Sequence, residues 1–352
     1  TGTASDLVEG QTIHKALGLP CNNSAVPLGD KMRDMRRIQL KELKMIIVDE
    51  VSLVWADPLY QMHFRLSKEI RQNSLTFGGL PMVVVGDQLQ IKPISSSFNF
   101  GIPSNPKFAL ADSLLRLWDE FERIELKTNH RSGQFKDYAD VLNRLRVGQM
   151  TEYDIQKLES RVFPRDSSDL PSDAIFVSGE NKTVNEYNMK KLNEIDSELV
   201  IRKATIFSAT QREIKSPKID SSGYIHKTNI PFEVNLKIGA RVSLTYNIDV
   251  VDSLCNGSLG EVIGFKRDNK NLIKFVMVKF DKASAGSERR NRYRILDNEF
   301  KDATPIDILE QEYHQGNTTS TSATAINWPL KLAWGLTLHK IQGTTIPFPR
   351  NI

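Results

Sequence analysis

Cysteine is scarce: the 352 residues contain only Cys21 and Cys255, far apart and without CxxC spacing or a histidine partner. A disulfide scaffold and a cysteine-built zinc module are therefore excluded, and two reduced thiols in an intracellular protein are expected. No apolar run approaches the length of a membrane-spanning helix; the longest candidates, around Met45 to Val48 and Met82 to Val85, suit buried strands. The opening TGTAS has no secretory-signal character and begins on Thr1 rather than Met, so a piece of something longer is expected. There is no internal repeat. Nor does one sign of charge dominate: 47 basic against 43 acidic residues give +4, which permits a polyanionic partner without requiring one.

What is present is ordinary globular material, 39% hydrophobic and 26% charged, in a chain long enough for two or three compact units. Met45 to Asp49 and Met82 to Val85 are β-branched apolar runs that end in acids, Asp49-Glu50 and Gly86-Asp87. Such runs predict parallel strands covered on both faces. Between them Asp57-Pro58 has the grammar of an N-cap and first helical residue, and Leu59, Met62, Leu66 and Ile70 then fall on one face of a helix ending near Asn73. Strand, helix, strand is a βαβ crossover, and ligands collect at the carboxyl ends of such strands.

A second alternation follows. It consists of a helix near Leu114 to Arg123, a strand at Arg123 to Leu126, and a helix from Phe135 to Arg146 with Phe135, Ala139, Leu142 and Leu145 on one face. A strand at Ala174 to Val177 and a helix at Thr183 to Asn193 complete it. From Phe232 to Asp281 the runs RVSLTY, LGEVIGF and LIKFVMVKF, separated by Asn256-Gly257 and Asp268-Asn269, predict a small all-β insert. Ala283 to Arg292 and the Ser/Thr-rich Gln315 to Thr324 are expected to be exposed loops.

Asp49-Glu50 at a strand end is the pair a nucleotide hydrolase needs, one carboxylate for Mg²⁺ and its neighbour for the attacking water, although a solvated strand end has the same look. Gly86-Asp87-Gln88-Leu89-Gln90 would place the neutral amide of Gln90 in the same cleft, where it can report on a γ-phosphate; an ordinary polar loop is the alternative. Arg131, in Asn129-His130-Arg131, is a candidate to neutralise charge in phosphoryl transfer, against the commoner surface salt bridge. The run of Arg289, Arg290, Arg292 and Arg294 around Tyr293 stays outside the site, because charge runs in loops are usually solvated.

The order of segments resembles the Pif-one-like (petite integration frequency) family of superfamily-one DNA helicases, from Thr1 to Thr345. Thr1-Gly2-Thr3-Ala4 and Gly10-Gln11-Thr12-Ile13-His14 are similar to the family's first strand-contacting motifs. Ile46 to Ser52 resembles Walker B, and Asp57 through Phe77-Gly78-Gly79 resembles the family signature. Gly86 to Pro93 resembles motif III, with Lys92 where proline is usual. Leu126, Asn129-His130-Arg131 and Leu142 to Gly148 resemble motif IV and its helix. Leu236 to Val242 with Asn256 to Gly260 resembles the β-barrel insert. Trp328 to Trp334 and Thr337 to Gly343 resemble motif V.

The resemblance implies an α/β fold of two RecA-like P-loop-NTPase-type domains, at 1–115 and at 116–231 with 326–352, and a β-barrel-like insert at 232–325. It implies an ATP-dependent DNA helicase using ATP and Mg²⁺, walking 5′ to 3′ on single-stranded DNA and acting at duplex junctions. Asp49, Glu50, Gln90 and Arg131 are the implied nucleotide and catalytic residues, with Asp49 on the metal. Thr1, Gly2, Thr3, Thr12, His14, Thr337, His339, Lys340 and Gln342 are the implied DNA contacts, with chemistry suited to sugar and phosphate rather than to base reading. Repair, recombination and telomere roles, and a nuclear or mitochondrial setting in a eukaryote, are further implications. The sequence departs from the family in having no GxxxxGK[ST] and no Gly-Lys dipeptide, and in stopping before the last arginine motif. Residues 1–352 alone are therefore expected to be inactive, and the alternative reading is a DNA-binding remnant from a decayed mobile element.

Overall fold

The computed structural model describes residues 10–20, 27–93, 98–105, 116–130, 135–164, 167, 170, 174–294, 300–314 and 322–342. The chain packs as two units, one of residues 13–174 with 347–352 and the other of residues 175–346 with 1–12.

The first unit contains α1 (Ile13–Leu17), α2 (Asp30–Gln39), β1 (Ile46–Val48), α3 (Ala56–Phe64), β2 (Met82–Val84), α4 (Lys136–Arg146) and α5 (Glu152–Glu159). Strands β1 and β2 run parallel with Val48 opposite Val84, as the apolar runs predict. They are not covered on both faces, however. Val48 is buried, whereas Ile47 and Val83, paired on the other face, are 64% and 45% exposed. Among the described residues the core lies on one side, where Val48 and Val51 meet Leu59, Met62, Leu66 and Phe77.

Helix α3 starts two residues earlier than its Asp-Pro grammar predicts, with Trp55 as N-cap, and continues into a π-helical turn at Arg65–Ile70. Asp57 is not the cap. Its buried carboxylate instead accepts Ser104 Oγ (2.8 Å) and Asn105 N (3.0 Å), a tertiary use that local spacing cannot show. The expected face of Leu59, Met62, Leu66 and Ile70 is buried. Within the π turn Arg65 and Glu69 form a buried ion pair, and Glu69 also accepts Leu28 N at 2.8 Å, so the pair is hydrogen-bonded as burial demands.

Three expectations in the region after residue 113 change. Residues 106–115 lie outside the described residues, and a 3₁₀ turn at Leu117–Glu120 stands where the end of a helix was expected. Arg123 to Leu126 form no strand, with Ile124 79% and Leu126 85% exposed. On α4, Ala139 and Val141 are buried while Phe135, Leu142 and Leu145 are exposed, so the inward face is not the one the spacing selects. Arg144 on α4 grips Asp154 of α5 through two bonds of 2.7 and 2.6 Å, and Thr151 closes a capping box on the same Asp154.

In the second unit β3 (Phe176–Ser178) and α6 (Asn181–Asn193) appear close to their expected places. They precede β4 (Val200–Lys203), β5 (Thr205–Ser208), β6 (Glu233–Leu236), β7 (Arg241–Leu244), β8 (Leu259–Arg267) and β9 (Ile273–Phe280). After α7 (Ser287–Arg294) come β10 (Thr304–Ile306), β11 (Leu309–His314), β12 (Ser322–Asn327), β13 (Leu330–Leu332), β14 (Gly335–Thr337) and α8 (Leu338–Ile341). The expected β runs form a five-stranded antiparallel sheet in the order β10, β9, β8, β7, β13. It draws in Leu330–Leu332 from beyond the predicted insert. Strand β14 pairs in parallel with β3, which returns the late segment to the α/β layer.

Two expected loops are corrected. Ser287–Arg294 is a helix whose first amides, Glu288 N (2.9 Å) and Arg289 N (3.0 Å), donate to the Asp252 carboxylate. Of Gln315 to Thr324, residues 315–321 lie outside the described residues and Ser322 to Thr324 belong to β12, paired with β11 and β5.

Candidate functional site

At the carboxyl ends of β1 and β2 the backbone stitches two loops together. Val85 N donates to Val48 O (2.8 Å), and Val51 N donates to Val85 O (3.0 Å). A Cβ on Gly86 would lie 2.9 Å from Val51 N, so only glycine lets the second loop pass this close to the first. The buried Asn99 amide donates to Val51 O at 3.1 Å and fixes the same turn. Asp49 is exposed and its Oδ1 accepts Glu50 N at 2.8 Å. Glu50, half-buried, has left-handed backbone angles (φ 54°, ψ 46°), which a non-glycine residue holds only when its surroundings impose them. The result is two adjacent carboxylates turned out of the strand at its tip.

The facing loop is ordered by Asp87. Its Oδ1 accepts Leu89 N (3.0 Å) and the Arg146 guanidinium from α4, and its carbonyl accepts Gln90 N (3.1 Å). Gln90 is exposed on this loop. The structure thus brings Asp49, Glu50 and Gln90 to neighbouring loops at one edge of a parallel sheet, while Arg131 lies outside the described residues. No group of three or more His, Cys, Asp or Glu capable of holding a metal occurs among the described residues.

The predicted strand contacts fall in two places. Thr1, Gly2 and Thr3 lie outside the described residues. Thr12 precedes α1 and His14 is half-buried within it. Burial lowers the His14 pKa and keeps the imidazole neutral. Thr337, His339, Lys340 and Gln342 occupy the junction from β14 into α8, as expected, with Thr337 as N-cap and Lys340 exposed.

That junction is positioned by a residue the sequence reading passed over. Asn188, buried on α6, accepts Gly335 N at 2.7 Å and donates to Gly335 O at 3.0 Å and Leu332 O at 3.3 Å. One side chain therefore fixes the strand that leads into Thr337. Tyr224 and Lys331 were also missed: Lys340 Nζ donates to the Tyr224 hydroxyl (3.3 Å), and Lys331 Nζ lies 5.1 Å from the Tyr224 ring centroid. The only signal in the sequence was a lysine within an apolar strand. Two residues of the arginine run are structural: Arg289 binds Pro305 O and Asp307, and Arg290 binds Ala285 O and Thr304 Oγ1.

A family model described as PIF1-like helicase matches residues 1–156. The ATP-dependent DNA helicase PIF1 of Emericella nidulans is 26% identical over 380 residues, which span 98% of this chain and 48% of that protein. The PIF1 helicase of Saccharomyces cerevisiae is 30% identical over 275 residues, 75% of this chain and 30% of that protein. The chain is a relative of the PIF1-like helicases. It spans about half or less of the length of these two PIF1 proteins. Among solved structures, Pif1 helicase from Candida albicans has a TM-score of 0.68 at 24% identity, covering 98% of this chain and 75% of that one. Bacteroides Pif1 bound to ssDNA gives 0.67 at 20% identity, covering 98% and 73%. The PIF1-like fold, RecA-like α/β, is thereby shared along the chain.

Proposed function

We propose that this chain is the core of an ATP-dependent DNA helicase that moves 5′ to 3′ along single-stranded DNA and opens duplex junctions. The observation that carries the reading is the pairing of the Asp49-Glu50 strand tip with the Gly86 to Gln90 loop across one parallel strand pair. Within it Glu50 orients or deprotonates the attacking water, Gln90 senses the γ-phosphate, and Arg131 supplies positive charge. Thr12, His14, Thr337, His339, Lys340 and Gln342, with Thr1, Gly2 and Thr3, hold the strand through its backbone. The functional division is 1–115, 116–231 with 326–352, and 232–325, in an intracellular setting. A Bacteroides Pif1 solved in complex with ADP-AlF3 and ssDNA supports the pairing of these two ligands.

The residues present fit Mg²⁺ delivered with nucleotide. One exposed and one half-buried carboxylate, with no third acidic, histidine or cysteine ligand among the described residues, do not build a closed metal cage, but Mg²⁺ commonly takes one or two carboxylates and completes its shell with water and phosphate. Asp49 would hold it, and the ion would neutralise phosphate charge.

Fluorescence anisotropy of the 352-residue chain with labelled oligonucleotides tests the strand-binding half of the reading. Binding should weaken with salt and show little base preference. Strong preference for one short duplex sequence would instead identify a sequence-reading module.

A further inference from the structure

Lys331 stands at the centre of β13, opposite Ser243 of β7, so its place is fixed by the antiparallel sheet rather than by a loop. Its Nζ donates to Ser222 O at 2.8 Å and lies 5.1 Å from the centre of the Tyr224 ring. Lys340 Nζ approaches the same ring to 5.8 Å and donates to its hydroxyl at 3.3 Å. Tyr224 is itself held: its N–H and that of Ser222 donate to Asp220 Oδ1 at 3.1 and 2.8 Å, and its carbonyl accepts Asp220 N. Two cations from different elements thus converge on one anchored ring.

Their charge is not matched by nearby acids. Neither lysine forms an ion pair among the described residues. Asp220, the carboxylate that acts on Lys331, spends one oxygen on two backbone amides. Glu233, in the wall of the cavity that Lys331 also lines, is set against Lys203 at 3.8 Å and accepts Asn235 Nδ2 at 2.9 Å. Burial pushes the Lys331 ammonium down to about 8, and the Lys340 charge adds to the effect. A pair of cations that disfavour one another is relieved by an anion bound between them.

We propose that Lys331 is a further strand-binding residue, sharing a backbone phosphate of single-stranded nucleic acid with Lys340, and that Tyr224 is the positioning residue that sets the two ammonium groups. This deepens the helicase reading and rests on its assignment of Lys340 to the strand. The alternative is that both lysines merely pack on the ring.

Anisotropy titrations of dT oligonucleotides with the 352-residue chain separate these cases. Lys331→Ala should weaken binding about threefold or more and lower the slope of log affinity against log salt by about 0.7, the loss of one phosphate contact on a single strand. Lys331→Arg should restore both. Phosphate favours the protonated amine, so the affinity of the unaltered chain should fall as pH rises through about 8, and Lys331→Arg should flatten that fall. A merely structural lysine would alter thermal melting while leaving the salt slope and pH profile in place. If the unaltered chain binds and Lys331→Ala keeps its slope, the Lys331 assignment is overturned and the helicase reading stands. If the unaltered chain does not bind dT at all, both fall.

Discussion

Arg146 on α4 holds Asp87, the residue that shapes the loop carrying Gln90. A helix that follows the Asn129-His130-Arg131 segment is thereby joined to a loop at the tip of β2. Both side chains are partly exposed, 37% for Arg146 and 28% for Asp87, so the Coulombic gain is modest. Arg146→Ala should cost about 0.5–1 kcal/mol. Asp87→Ala should cost more, about 1–2 kcal/mol, because the Leu89 amide loses its acceptor as well. Urea melts of the two variants check the order, and an equal cost would mean that the turn does not depend on the carboxylate.

Asn188 gives a larger expected effect. Its amide is buried and satisfies both polar groups of Gly335, so Asn188→Leu leaves a buried N–H and C=O without partners, at about 2–4 kcal/mol. Gly335→Ala should act on the same strand by contact, since a Cβ would meet Phe176 at 3.1 Å and Tyr187 at 3.3 Å. Thermal unfolding with amide exchange along 335–337 would show whether loss is local. Unchanged protection in Asn188→Leu would remove it from its positioning role.

These two residues mark where the sequence was legible and where it was not. The β1 and β2 strands, α6 and the β14 to α8 junction could be read because their patterns are local: β-branched runs, a helical repeat, a strand ending in polar donors. Asn188 carries no local signal, because its partners at Leu332 and Gly335 lie more than a hundred positions away. Helix α7 was hidden for the same reason. Its arginine-rich sequence has no apolar face, and its first turn is held by Asp252, 36 positions before Glu288. The bare face of the β1–β2 pair was read as covered because an apolar run states that a strand can be buried, not what buries it.

That bare face has a consequence for handling the chain. Met45, Ile47, Val83 and Val85 are all exposed, between 43% and 64%, and form an apolar patch on adjacent parallel strands. The 352-residue chain should therefore bind a hydrophobic dye and self-associate. Replacing Ile47 and Val83 together by lysine should lower both without lowering the melting point. Dye fluorescence and light scattering check this; unchanged scattering would place the sticky surface elsewhere.

His14 makes a prediction about acid. Its folded pKa lies below the ordinary 6.5 because burial disfavours the imidazolium. In the window between the folded value and 6.5 the unfolded chain binds more protons, so stability rises with pH and is lost on acidification from neutral pH. His14→Gln should make the acid side of a melting-point profile shallower. Because the imidazole is neutral at pH 7, the same variant should leave the salt slope of strand binding unchanged, in contrast to Lys340→Ala. A slope that drops in His14→Gln would mean that the histidine meets phosphate as a cation.

The last prediction concerns turnover. The 352 residues contain no GxxxxGK[ST], so the phosphates would lack the amide cradle and lysine that usually receive them, and Asp49 would lack the hydroxyl ligand that shares Mg²⁺. Residues 1–352 alone should show no measurable ATPase, even with saturating single-stranded DNA. In a form that carries a P-loop, Glu50→Gln should preserve nucleotide and strand binding but abolish hydrolysis, because Glu50 acts on water rather than on the nucleotide. The backbone at Glu50 is left-handed through its surroundings, and glutamine can adopt the same angles, so the variant should fold like its parent. Steady-state ATPase with parallel binding titrations decides the matter. Turnover within about threefold of the parent, roughly 0.7 kcal/mol in the barrier, would remove Glu50 from the chemistry. Strand-stimulated hydrolysis by the 352-residue chain itself, lost on Glu50→Gln, would show that its phosphates are received by residues other than a P-loop lysine.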